Sequence, residues 1–286
     1  MYKFLKDYII YKFKKFLTLY SSFYYKYFFN SNEIFNEIIK LNRKFLTEEG
    51  SFISSIDFSK NDYGINESIK NTIDKKINNL PTSTDLIIYL IMKNIRKNCK
   101  YLEIGASVLK NFMQVNNLLT NAELFIYDIN PVNPKYQNEF VNLNKNSNFQ
   151  KLNGKNKLFY YKGDLFNRDD LNYFEENTYV DKFNFIYSDA LHTAAAIESE
   201  YKELISNILS DKFIIYYDDL DFKGMTGAFE KILNDIRTNY EDVEACTFYI
   251  NGWVGQNERP HKNGIITNIP IIPQINDLKL FKMKVI

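Results

Sequence analysis

The chain has 286 residues, of which 45% are hydrophobic and 25% charged, and its formal net charge is +1. This composition is that of a globular protein with a sizeable core, and the balanced charge gives no electrostatic case for nucleic-acid binding. The only two cysteines, Cys99 and Cys246, lie far apart, which argues against a CxxC metal site and favours a reducing, cytoplasmic setting. No segment reaches the roughly 18 apolar residues of a transmembrane helix, and we find no signal-peptide pattern at the N-terminus.

The first 80 residues are predicted to form a helical appendage to a main domain at residues 81–286. Residues 1–45 show an apolar stripe at spacings of three and four, with lysines largely off it. Such a basic helix can lie on a membrane surface, but packing onto the main domain as a cap is the favoured interpretation. Gly50, Ser51 and Gly64 predict breaks in the polar segment that follows, which has room for a short helix at residues 67–79.

The main domain begins with helix-capping residues and then alternates strands with helices. Five short apolar runs each lead into an acidic residue, and amphipathic segments at residues 108–119, 168–176 and 193–209 lie among them. This alternation predicts a doubly wound α/β domain with a Rossmann-like, mostly parallel sheet that is covered on both faces. The runs and their acids are residues 101–102 with Glu103, 124–127 with Asp128, 158–161 with Asp164, 183–187 with Asp189, and 213–217 with Asp218 and Asp219.

The C-terminal part is predicted to complete this sheet with an antiparallel hairpin. A helix is expected at residues 226–237, followed by strands at residues 246–250 and 264–272. Residues 252–263 are predicted to be the loop between them, and Trp253, Arg259 and His261 in that loop are candidates for lining a ligand pocket or for plain surface residues.

The acids are expected to share one edge of the sheet, because parallel strands end on the same side. Carboxylates that converge repel one another unless a ligand or a cation uses them.

Gly105 lets the backbone approach a ligand just before a helix begins. A GxGxxG fingerprint is absent, since Ser107 and Lys110 stand where glycines would, and this argues against a conventional NAD site. Asp128 follows Gly105 by 23 residues, where a carboxylate can grip ribose hydroxyls.

Five motifs carry a resemblance to a known family: LEIG at residues 102–105, YDIN at 127–130, KGD at 162–164, SDALH at 188–192 and YDD at 217–219. With them, residues 81–286 resemble the class I S-adenosylmethionine (SAM)-dependent methyltransferases. The resemblance implies an enzyme that binds SAM at these strand ends. The sequence departs from the family pattern at Ser107 and Leu109, where family members usually carry further glycines. The implied cofactor-binding residues are Glu103, Gly105, Ala106, Ser107, Asp128, Asp164 and Asp189.

The chain also resembles the metal-dependent O-methyltransferase branch, which includes catechol and macrolide-sugar O-methyltransferases. The match implies a divalent ion, Mg²⁺, held by Asp189, Asp218 and Asp219. Asp221 is a candidate substitute for one of these ligands. Three carboxylates suit such a hard cation, and a coordinated hydroxyl loses its proton more readily. His192 lies three residues after Asp189, where the catechol enzyme has its basic lysine, and is the expected general base.

Other interpretations of the same residues stay open. Asp218 and Asp219 are also explained as a solvated acid and a helix cap, and His192 as a helix-start histidine bonded to the backbone. The favoured acceptor is a hydroxyl of a small molecule or sugar. One alternative is a metal-independent N- or C-methyltransferase. Another is a non-catalytic Rossmann-like domain that its aromatic N-terminus tethers to a membrane or a partner.

Overall fold

The computed structural model describes residue 12 and residues 32–54, 80–95, 97–133, 136–144, 155–178, 182–252 and 260–286. The helices in these ranges are α1 (Glu33–Ser54), α2 (Ser83–Asn94), α3 (Lys110–Leu118), α4 (Arg168–Thr178), α5 (Ala194–Glu200), α6 (Met225–Asn239) and α7 (Ile272–Asp277). A π-helical turn, Tyr201–Ile205, and a short turn, Ser206–Ile208, extend α5. The strands are β1 (Lys100–Ile104), β2 (Glu123–Asp128), β3 (Val141–Asn142), β4 (Lys157–Lys162), β5 (Phe183–Ser188), β6 (Leu209–Tyr217), β7 (Glu244–Asn251), β8 (Pro260–Thr267) and β9 (Phe281–Val285).

The strands form a single nine-stranded sheet in the order β3-β4-β2-β1-β5-β6-β8-β7-β9. The run from β3 to β6 is parallel, whereas β8, β7 and β9 pair antiparallel. The predicted fold class is therefore confirmed: a Rossmann-like, mostly parallel sheet with a C-terminal antiparallel hairpin. The strand order reverses between β1 and β5, and such a switch point opens a crevice at the carboxyl ends of the strands.

Successive residues of the central strands face opposite sides of the sheet, and each side has its own core. Leu124, Ile126 and Phe185 pack with α1, α2 and α3 on one side. Phe125 and Ile186 pack with α4, α5 and α6 on the other. The near-continuous apolar character of these strands follows from burial on both faces.

A buried ion pair fastens α1 to α2. Asp85 is fully buried, and it accepts hydrogen bonds from Arg43 Nη2 at 2.7 Å and from Asn42 Nδ2 at 2.7 Å. The same carboxylate accepts from the backbone nitrogen and the hydroxyl of Thr82, which caps α2. The described part of the N-terminal segment thus packs directly on the main domain. The division at residue 80 into appendage and domain stays a prediction.

Several predicted boundaries need correction. The breaks expected at Gly50 and Ser51 do not occur, because α1 runs through both residues to Ser54; buried side chains such as Phe35 and Leu46 hold it against the core and outweigh the helix cost of one glycine. β8 begins at Pro260, so part of the predicted loop at residues 252–263 is strand.

Other parts of the prediction lie beyond the described residues or were missed. Nearly all of residues 1–31, the short helix at residues 67–79, Trp253 and Arg259 lie outside the described residues. The edge strands β3 and β9 and the short helix α7 were not predicted. Within the ranges given above, none of the helices is both long and apolar enough to cross a membrane.

We predict that Arg43→Ala destabilises the protein by about 3–5 kcal/mol, because it leaves the Asp85 carboxylate buried without its cation. Lys44→Ala on the next residue is the matched control. The Lys44 side chain is exposed and pairs with Glu48 at 3.7 Å, so we expect a change below about 0.5 kcal/mol. Urea denaturation of both variants measures the difference, and equal losses would contradict the assigned role of the buried pair.

Candidate functional site

Two cavities adjoin at the switch point between β1 and β5. The larger, of about 420 Å³, is lined by residues that include His192, Asp218 and His261. The smaller, of about 210 Å³, is lined by residues that include Asp128 and Asp164. The cavities share four lining residues: Gly105, Ser107, Asp189 and Ala190. The two cavities therefore meet at this shared wall.

Gly105 makes the shared wall possible. Its φ is +86°, and a Cβ atom at this position would lie 2.5 Å from Ala190 Cα and 2.6 Å from the carbonyl oxygen of Asp189. Only glycine fits where the loops after β1 and β5 come this close. The backbone nitrogen of Asp189 donates to Ile104 O at 2.9 Å and ties the same two loops together.

Two residues of this loop that are not glycine have the backbone conformation that glycine adopts most easily. Ser107 and Leu109 have φ values of 48° and 67°, in the left-handed region that glycine adopts most easily. These are the positions where further glycines were expected. The chain adopts the glycine-like path with other residues, and buried Leu109 adds its side chain to the core.

Asp128 holds the start of this loop. It is the last residue of β2, and its Oδ2 accepts from the backbone nitrogen of Ser107 at 2.9 Å, while its Oδ1 accepts from the backbone nitrogen of Asn130 at 2.8 Å. Asp164, two residues after β4, accepts from the backbone nitrogen of Phe166 at 2.9 Å. Both acids line the smaller cavity, as the prediction of cofactor-binding roles requires.

Glu103 lies inside β1 and not after it, which corrects the expectation that each strand ends in an acid. The side chain is 1% exposed and borders the larger cavity, where Oε2 accepts from the Tyr101 hydroxyl at 2.7 Å. Burial raises the pKa of Glu103 to about 8, against the opposing effect of this hydrogen bond. The carboxyl group is therefore largely protonated at neutral pH.

His192 lies between two acids. Its Nε2 is 3.1 Å from Asp189 Oδ1, and its Nδ1 is 3.2 Å from Asp219 Oδ2. Burial favours the neutral ring, but Asp189 and Asp219 outweigh burial and raise the pKa of His192 to about 9. In this state the ring holds its proton at neutral pH. Asp189 Oδ2 also accepts from the Tyr187 hydroxyl at 3.0 Å, so both of its oxygens have partners.

Asp218, Asp219 and His261 form a cluster in which one potential ligand atom from each residue lies within 4.8 Å of the others. All three residues are buried, at 7%, 8% and 8% exposure. Burial, together with repulsion from Asp189 and Asp219, raises the pKa of Asp218 to about 8. Buried carboxylates that crowd each other in this way are suited to a cation.

The structure thus brings most of the predicted site residues to one crevice. Asp189, His192, Asp218 and Asp219 all line the larger cavity. The close cluster, however, contains His261 where Asp189 was predicted, and exposed Asp221 is not a member. His261 was predicted to lie in a loop. The signal that could have placed it is the alternation of His261 and Asn263 in a strand that follows a predicted β7.

A scan against protein-family models finds no match for the chain, and a search of curated proteins also finds none. Three solved structures with similar folds are methyltransferases. The O-methyltransferase TomG from Streptomyces achromogenes, in complex with SAM, is 9% identical over 89% of this chain and 97% of its own, with a TM-score of 0.46. The plantazolicin methyltransferase BpumL, in complex with SAH, is 15% identical over 80% and 99%, with a TM-score of 0.41. The N-methyltransferase NodS from Bradyrhizobium japonicum is 12% identical over 65% and 94%, with a TM-score of 0.40. At such TM-scores these similarities carry no argument for function, which has to come from the site.

We predict that Gly105→Ala destabilises the protein by about 2–4 kcal/mol, because the new methyl group overlaps the backbone at Ala190 and the left-handed φ strains the alanine. Gly227→Ala in α6 is the matched control, since nothing lies within 4 Å of a Cβ there. The control should gain about 0.5–1 kcal/mol from its better helix propensity. Thermal unfolding of both variants measures the change in stability. A Gly105→Ala protein as stable as the wild type would contradict the close approach of the two loops.

We also predict a pH-dependent effect of Glu103→Gln. The folded protein keeps the Glu103 proton up to a pKa of about 8, whereas the unfolded chain loses it near the ordinary value of 4.5. The native protein should therefore lose stability between these pH values, at up to about 1.4 kcal/mol per pH unit for this group. The glutamine variant, which can still accept from Tyr101, should lack that loss. Chemical denaturation at pH 5.5 and pH 7.5 tests this, and parallel pH profiles would contradict the buried, protonated Glu103.

Proposed function

We propose that the chain is a SAM-dependent methyltransferase that acts on a hydroxyl oxygen of a small molecule or sugar, with the help of a divalent cation. The observation that carries this proposal is the pair of adjoining cavities at the switch point. One has the features of a nucleoside site, and the other collects acids and imidazoles. A group bound in the first is thereby presented to a molecule bound in the second.

The smaller cavity suits the adenosyl part of SAM. Asp128 stands at the end of β2, where a carboxylate can accept from ribose hydroxyls. Ile129 and Leu191 also line the cavity, and their side chains are 61% and 46% exposed. Exposed aliphatic side chains at the edge of a cavity offer surfaces for the apolar faces of a flat ring such as adenine.

The larger cavity suits the acceptor and the cation. Its volume of about 420 Å³ is within the range of sites for small ligands. The crowded carboxylates of Asp218 and Asp219 would hold the cation, and Asp189 stays a predicted third ligand. Phe222, with its ring centroid 5.4 Å from that of His192, adds an apolar wall against which an acceptor can pack.

When bound, SAM would supply the methyl group, whose bond to sulfur would break as its bond to the acceptor oxygen forms, and a cation held by Asp218 and Asp219 would lower the pKa of the acceptor hydroxyl. His192 would take the hydroxyl proton in its neutral form, after its own ion-paired proton has passed to solvent. Asp189 and Asp219 fix the orientation of its ring. The shared wall at Gly105 would align the two reactants, since such a transfer depends on positioning.

Calorimetric titration of the full chain with SAM and SAH tests the proposal without knowledge of the acceptor. We expect binding in the micromolar range. Asp128→Asn should weaken it about tenfold or more, because hydrogen bonds to a charged acceptor are lost. Asp169→Asn, an exposed change at the start of α4, is the matched control and should bind as the wild type does. If a folded sample binds neither SAM nor SAH, the proposal is wrong.

A further inference from the structure

His261 is a buried side chain with a ring nitrogen that no hydrogen bond accounts for. It is 8% exposed, and its Nδ1 is in ion-pair contact with Asp219 Oδ1. Its Nε2 has no hydrogen-bond partner among the described residues. A buried imidazole in this state costs free energy unless something binds it.

We propose that His261 is a ligand of the cation, together with Asp218 and Asp219, and that the site prefers a transition-metal dication such as Mn²⁺, Fe²⁺ or Co²⁺ over Mg²⁺. This inference rests on the proposed function only in that it concerns the cation of the same site. It changes both the third ligand and the metal that the sequence predicted.

The sheet explains how a residue so distant in sequence reaches the acids. β8 runs antiparallel beside β6, with Tyr217 opposite Gly264, so the beginning of β8 meets the end of β6. His261 and Asn263 are two residues apart and lie on the same face of β8. Both are thereby directed at the carboxylates that follow β6.

Asn263 holds the Asp218 carboxylate in place. Its Nδ2 donates to Asp218 Oδ1 at 2.7 Å, and its Oδ1 accepts from the Tyr216 hydroxyl. These bonds fix the orientation of one carboxylate oxygen and leave the other for a cation. Hydrogen bonds that orient a metal ligand in this way are typical of built metal sites. Asp219 contributes from a left-handed backbone conformation, with φ at 52°, which places its carboxylate toward His261.

Asp189 has a different set of contacts. Its Oδ1 faces His192 and its Oδ2 accepts from Tyr187, so each oxygen already has a partner. Asp219 Oδ2 also meets His192, at 3.2 Å, but Asp219 Oδ1 faces His261. The potential ligand atoms that lie within 4.8 Å of one another come from Asp218, Asp219 and His261, and Asp189 is not among them.

The donor set decides the metal preference. Mg²⁺ is bound by oxygen ligands and tolerates an imidazole poorly. Affinity of mixed nitrogen and oxygen sites rises from Mn²⁺ towards the later first-row metals. Two carboxylates with one imidazole thus favour these ions over Mg²⁺.

Pulsed EPR of Mn²⁺ bound to the full chain tests the ligand directly. The chain has only two histidines, His192 and His261, so any imidazole nitrogen coupled to the metal comes from one of them. We expect a coupling that shifts on ¹⁵N-histidine labelling, survives in His192→Asn and is lost in His261→Asn. Calorimetry on the same samples should give at least tenfold tighter binding of Mn²⁺ than of Mg²⁺ in the wild type, and a smaller ratio in His261→Asn.

Each other outcome overturns the inference. Coupling that survives only in His261→Asn would assign His192 as the ligand. Mn²⁺ bound without a nitrogen coupling, or a preference for Mg²⁺, would restore an all-oxygen site. If His261→Asn fails to fold, a coupling that survives in His192→Asn still assigns the ligand to His261, because the chain has no third histidine. A SAM titration of the same samples separates failure of this inference from failure of the proposed function.

Discussion

The site depends on one close approach, that of Gly105 to the backbone at Asp189 and Ala190. The strand order reverses between β1 and β5, so the loops that follow these two strands part to opposite sides of the sheet. At Gly105 they still touch, because that residue has no side chain to hold them apart. The two cavities meet at this contact, and the acids and histidines of the site are arranged around it.

A second constraint is electrostatic. The carboxyl ends of the parallel strands deliver acids to a small region, and the core beneath them excludes water. The structure relieves this repulsion in two ways. Glu103 is kept protonated beside Tyr101, and Asp189 pairs with His192. Asp218 and Asp219 remain crowded against His261, and there a cation would lower the free energy of the folded state.

Much of this fold could be predicted from sequence. Strands buried on both faces appear in the sequence as apolar runs, and the helices that cover them appear as amphipathic segments. The acids after those strands located the crevice, and Asp128 and Asp189 line it as predicted. His261 could not be placed in the same way. Its proximity to Asp219 arises from the antiparallel pairing of β8 with β6, which a local pattern does not encode. The end of α1 was also missed, since the burial of earlier side chains such as Phe35 and Leu46 outweighs the helix cost of one glycine.

The central claim is that one crevice holds a methyl donor on one side of Gly105 and a metal-bound acceptor on the other. A crystal structure with SAH and Mn²⁺, with diffraction data collected at the manganese edge, tests it most directly. The account predicts SAH beside Asp128 with its sulfur facing the shared wall, and an anomalous peak within coordination distance of Asp218, Asp219 and His261. SAH bound elsewhere in a well-ordered crystal, or a manganese peak away from these three side chains, would contradict it.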